Sequence, residues 1–113
     1  MKLYFLNKDD SLKDSIKTIK VSNISIGLVL EDETLIGVIT QGDILKFIYD
    51  ENSIFGKVKD VMTLNYIYTL SYDREKLYNL HCQYSLPYIP IISSDKKFIG
   101  LSSVFLSNII LNK

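Results

Sequence analysis

The chain's single histidine and single cysteine are neighbours, His81-Cys82. A thiol and an imidazole can form a nucleophile and its base. The spacing argues against it, because adjacent residues on a helix point about 100° apart and do not face each other. We read both as helix surface or the edge of the core. A lone cysteine also leaves no internal disulfide and no cysteine-based metal site. The acidic pairs Asp9-Asp10 and Asp50-Glu51 fit helix ends better than a metal. The five glycines (27, 37, 42, 56 and 100) are isolated, so no phosphate-cradling loop is present. Asp43 follows Gly42 at the start of a predicted helix, where the helix dipole favours its charge and its side chain can cap. No catalytic residue, metal site or catalytic cofactor emerges, and the chain reads as no enzyme.

The elements that must carry these residues fit in 113 residues, about one domain. The composition is 47% hydrophobic and 23% charged, which supports a packed core and argues against disorder. Thirteen basic and thirteen acidic residues cancel. That removes the simplest case for a nucleic acid or an acidic membrane as partner, since both call for a basic surplus. Only Arg74 among the cations offers a bidentate phosphate fork. No apolar run reaches the length of a transmembrane helix. The apolar start turns polar at Asn7, too soon for a signal peptide. We expect a cytoplasmic domain.

The chain repeats itself. Leu35-Ile36-Gly37-Val38-Ile39-Thr40 returns as Phe98-Ile99-Gly100-Leu101-Ser102-Ser103, 63 residues on. Ile26 to Leu30 falls on Ile89 to Ser93 at the same offset. Each half reads strand, helix, strand, strand, helix. In the first, Leu3–Leu6 is a strand. Asp10-Ser11 caps a helix with Leu12, Ile16 and Ile19 on one face. Ile26–Leu30 is a strand buried on both faces, Leu35–Thr40 returns in a hairpin, and a last helix follows Gly42-Asp43. In the second, Tyr66–Leu70 is a strand and Asp73 caps a helix. Leu86–Ile92 leads into the buried strand, Phe98–Ser102 returns, and Val104–Leu111 is the closing helix. Pro90 implies a missing donor at an edge or where a ligand approaches. The fold class is α/β (α+β). Residues 1–50 form the first repeat, 51–63 a linker with a short helical turn, and 64–113 the second repeat.

Leu35-Ile36-Gly37-Val38-Ile39-Thr40-Gln41-Gly42-Asp43-Ile44 closely resembles the signature of a CBS domain. Val58-Lys59-Asp60-Val61-Met62-Thr63 looks like the start of a second copy, and Leu86–Ile92 with Phe98-Ile99-Gly100 like its core. The chain therefore resembles a tandem CBS pair, or Bateman module. The resemblance implies two β-α-β-β-α repeats around a pseudo-twofold axis. It also implies an adenosine-containing ligand (AMP, ADP, ATP or S-adenosylmethionine) in a cleft between the copies, a homodimer, and control of a fused or partner domain. The Gly42-Asp43-Ile44 stretch with Lys46 faintly resembles pairs attached to sugar-phosphate nucleotidyltransferases.

In the family pattern a Thr or Ser ending the third strand, and an Asp three residues later, hold the ribose. Thr40 and Asp43 occupy those positions, with Gly42 leaving room between them. Asp43 can accept from two hydroxyls, and the Thr40 hydroxyl can donate or accept. Tyr4, Leu6, Ile24 and Ile26 are candidate walls for an adenine. Plain core packing accounts for them somewhat better. Lys46, Lys57 and Arg74 are candidate phosphate partners. The second copy departs from the pattern: Ser103 takes the place of Thr40, but Phe105 and Leu106 replace Gly42 and Asp43. Its cleft, with Pro90, Tyr66 and Thr63 as walls, reads as degenerate. An alternative from a different class is a structural dimerisation or interaction module that binds no nucleotide.

Overall fold

The computed structural model describes residues 3–22, 24–70, 72–104 and 108–111, the last stretch as backbone. The chain divides into two compact units, Lys2–Tyr66 and Ile67–Lys113. Among the described residues no helix is long and apolar enough to cross a membrane.

The first unit runs β1 (Phe5–Leu6), α1 (Leu12–Ser22), β2 (Ile26–Glu31), β3 (Thr34–Thr40), α2 (Gln41–Glu51) and α3 (Val58–Val61). Helix α1 starts where Ser11 Oγ accepts the Asp14 N–H at 3.1 Å. Leu12, Ser15, Ile19 and Ser22 lie on its buried face at helical spacing. The two serines remain satisfied there by donating to the carbonyls of Leu12 and Ile19, each at 2.7 Å. In the sheet, β2 is central, parallel to β1 and antiparallel to β3. Gly27, Leu28 and Val29 are buried in succession, as a strand covered on both faces requires. A Cβ on Gly27 would lie 2.6 Å from Leu6 Cδ1 and 2.9 Å from Ile39 Cγ2, so any larger residue must displace those side chains. The core gathers Leu6, Leu12, Ile19, Val29, Ile39, Ile44 and Val58.

The segment after α2 is bound into this same unit. Gly56 O accepts the Leu12 N–H at 3.0 Å, and Asp10 O accepts the Val58 N–H at 2.9 Å. Val38 and Thr63 exchange backbone bonds of 3.1 and 2.7 Å. That close approach depends on Gly37, where a Cβ would meet Met62 Sδ at 2.9 Å and Thr63 O at 3.1 Å.

The second unit contains α4 (Arg74–Tyr84), β4 (Tyr88–Ile92), β5 (Phe98–Ser103) and β6 (Asn108–Leu111). Asp73 caps α4 as the sequence predicts, accepting the Lys76 N–H at 3.0 Å. The strands lie in the order β4-β5-β6, all antiparallel.

Three expectations for this half are corrected. The predicted closing helix Val104–Leu111 is absent as such; Asn108–Leu111 is a strand paired with β5. A short apolar run does not distinguish strand from helix, and the β-branched pair Ile109-Ile110 suits a pleat. The predicted strand Tyr66–Leu70 shrinks to one parallel bridge, Thr69 to Ile91. Its bonds run from Thr69 N–H to Pro90 O and from Ile92 N–H to Thr69 O, both 3.0 Å. A strand residue points its N–H and C=O the same way, so Pro90 faces this segment and lacks the donor for the next rung. Finally, the central strand repeats at 62 rather than 63 residues: Thr40 pairs with Ile26, whereas Ser103 pairs with Tyr88. The second hairpin turn is one residue longer.

Candidate ligand-binding site

Strand β3 delivers Thr40 in extended conformation (φ −114°, ψ 164°) to the N-cap of α2. Thr40 Oγ1 accepts the Asp43 N–H at 3.2 Å, and Asp43 Oδ2 accepts the Thr40 N–H at 3.0 Å. This reciprocal capping box satisfies two otherwise orphaned donors. It uses one oxygen of the carboxylate and leaves Asp43 Oδ1 as an acceptor. It uses the Thr40 oxygen as acceptor and leaves the hydroxyl proton to donate. Both residues are half-buried, and the exposed Gly42 lies between them. Among the described residues a Cβ on Gly42 would meet only Thr40 Oγ1, at 3.7 Å, so space is open there. A carboxylate acceptor beside a hydroxyl donor can serve two hydroxyl groups of a ligand.

The other predicted residues separate by burial. Ile26 is the register partner of Thr40 and is half-buried, so it stands beside the box. Tyr4 is 37% exposed, while Leu6 and Ile24 are 2% and 3% exposed. Leu6 belongs to the core cluster, where packing accounts for it. Lys46, Lys57 and Arg74 are exposed. Of the residues expected at the second cleft, Thr63 and Tyr66 lie in the first unit. The Tyr66 hydroxyl donates to Leu35 O at 2.6 Å. Pro90 is buried in β4. Ser103 is buried at the end of β5, and its hydroxyl has no hydrogen-bond partner among the described residues. Phe105 and Leu106 lie outside the described residues.

The reading of His81 as surface or core edge is corrected: the ring is 5% exposed. Nδ1 lies 2.7 Å from Leu86 O and Nε2 lies 2.8 Å from Ser102 Oγ. A carbonyl only accepts, which puts a proton on Nδ1; in the neutral ring Nε2 then accepts from Ser102. Sequence offered one signal, a polar residue in the last turn of a helix just before the buried strand. Cys82, beside it, is exposed. Among the described residues no group of three or more His, Cys, Asp or Glu could hold a metal ion.

Residues 1–50 match the family model of the CBS domain. No curated protein sequence matches the chain. Among solved structures, a CBS-domain protein designated NE2398 is 26% identical, with 94% of this chain and 84% of that one aligned at a TM-score of 0.79. CBSX2, crystallised in complex with AMP, is 23% identical over the same shares at 0.79; the protein comes from Arabidopsis thaliana. A protein with CBS domains from Burkholderia ambifaria is 23% identical over 94% of this chain and 79% of that one, at 0.76.

Proposed function

Since residues 1–50 belong to the CBS-domain family and the chain has the fold of a CBS pair, we propose that it is a regulatory module sensing an adenosine-containing ligand. AMP, ADP, ATP and S-adenosylmethionine are the ligands in question. The observation that carries this is the unused half of the capping box, one free carboxylate oxygen beside one free hydroxyl proton. Asp43 Oδ1 would accept from a ribose hydroxyl and Thr40 would donate to one. The AMP complex of CBSX2 and the ATP complex of the cytosolic domain of the channel MgtE support the ligand class. The regulated output would be a fused or partner domain, with a sugar-phosphate nucleotidyltransferase as one candidate. The role is regulatory rather than catalytic.

The test separates cap from ligand. Asp43→Asn keeps an oxygen for the Thr40 N–H but replaces the free acceptor with a donor. A thermal-shift titration with each of the four ligands should stabilise the chain, by ~2.7 kcal/mol at a hundredfold excess over Kd. Asp43→Asn should weaken that ligand at least roughly tenfold, as expected for a hydrogen bond to a charged group. Unchanged affinity would remove Asp43 from the site.

One observation favours the alternative, a dimerisation module without nucleotide. The capping box alone explains Thr40 and Asp43, while Leu45 and Tyr49, one turn apart on α2, are 64% and 87% exposed. No shift with any ligand, together with a dimer in sedimentation, would select it.

A further inference from the structure

We propose that a groove on the first unit, remote in sequence from the capping box, docks an acidic segment with an apolar anchor, supplied by a partner protein. The groove encloses about 680 Å³ between residues 9–13 and 54–60. Its apolar floor is Ile54, 53% exposed, and Phe55, 87% exposed. Hydrogen bonds anchor the loop backbone on both sides of Phe55. Phe55 N–H donates to Ser53 Oγ at 3.0 Å, and Ser53 N–H to Ile48 O at 3.3 Å. On the other side, Gly56 O accepts from Leu12 N–H at 3.0 Å. Gly56 is wedged so closely that a Cβ would meet Phe47 Cε1 at 2.9 Å. An anchored loop that presents a large apolar ring to water marks an interaction surface.

The rim chooses the partner's charge. Lys13, Lys57, Lys59, Asp9 and Asp60 line it. Three lysines against two acids leave one net positive charge; Asp9 pairs with Lys59 at 3.3 Å, and Asp60 accepts the Lys57 backbone N–H at 3.0 Å. The ammonium groups of Lys13 and Lys57 have no carboxylate partner among the described residues. Lys13 also sits in the first turn of α1, where the helix dipole disfavours a cation. The complement of this surface is a carboxylate beside an aromatic or branched apolar side chain. Two lysines interleaved with acids, on a chain of zero net charge, are too few for a nucleic-acid track.

Phage-displayed short random peptides panned against the full chain test this. Enriched peptides should combine Asp or Glu with an aromatic or aliphatic residue. Fluorescence anisotropy should show binding that weakens with salt. Affinity should fall at least roughly tenfold in Phe55→Ser and in Lys57→Glu, as for an interface anchor. Both side chains are exposed, so unchanged melting of the variants keeps the loss interpretable. No enrichment, enrichment of basic peptides, or equal binding by both variants would overturn the proposal. So would concentration-dependent self-association lost in Phe55→Ser, which would assign the face to a second copy. Because Asp43→Asn should bind these peptides like the parent chain, failure here is distinguishable from failure of the nucleotide reading.

Discussion

Asp43 caps α2 with one carboxylate oxygen, and under the proposed function the other would accept from the ligand; the two demands can be measured apart. Thr40→Ala removes the cap acceptor and should cost about 1 kcal/mol, whereas Thr40→Ser should recover most of it. Urea unfolding of both variants checks this. His81 ties the end of α4 to β5 through Ser102. His81→Ala leaves the Leu86 carbonyl and the Ser102 hydroxyl without their partner, so the unfolding midpoint should drop by the equivalent of about 1–3 kcal/mol. At the second hairpin turn, the Ser93 hydroxyl donates to Asp95 and holds its carboxyl below the ordinary value. A depressed folded-state value stabilises above the unfolded one, and that contribution disappears as pH falls through the folded-state value. Ser93→Ala should raise the Asp95 midpoint in an NMR titration; an unmoved midpoint would refute the assignment.

The elements divide into those that a few residues specify and those that depend on distant partners. Helices α1 and α4 were legible because Ser11 and Asp73 announce their starts. The β2–β3 hairpin was legible because an unbroken apolar run precedes a polar turn. Strand β6 was not, since Asn108–Leu111 carries no cap, no breaker and no period. Where the first half has Asp43, the second has Leu106, which carries no carboxylate for a capping box like that of α2. The burial of His81 was equally hidden, because the hydroxyl that donates to its Nε2 lies 21 residues away on β5. Of the candidate site, Asp43 was readable locally as a helix cap and Thr40 and Asp43 as a pair only through the resemblance to the CBS signature, while the bonds of Tyr66 and Thr63 to β3 are tertiary. Gly27→Ala tests the packing of β2: the methyl would overlap Leu6 and Ile39, so stability should fall by about 1–3 kcal/mol in chemical denaturation.

On the scale of the molecule, the first unit has an apolar cluster that draws on every element from β1 to α3. A fragment of residues 1–66 should therefore unfold cooperatively, at a lower temperature than the full chain because so small a domain is marginal. Circular dichroism during heating would show it; a broad, featureless melt would mean that the cluster cannot stand alone. The hairpin turns that set the 62- and 63-residue spacings bear on engineering and on descent. If the halves arose by duplication, their lengths later parted by one residue at a loop tip, where a change leaves the paired strands untouched. The exposed tip at Ser94–Lys96 is thus the place to graft a fluorophore or an affinity tag, at a distance in sequence from the box at Thr40 and the groove at Phe55.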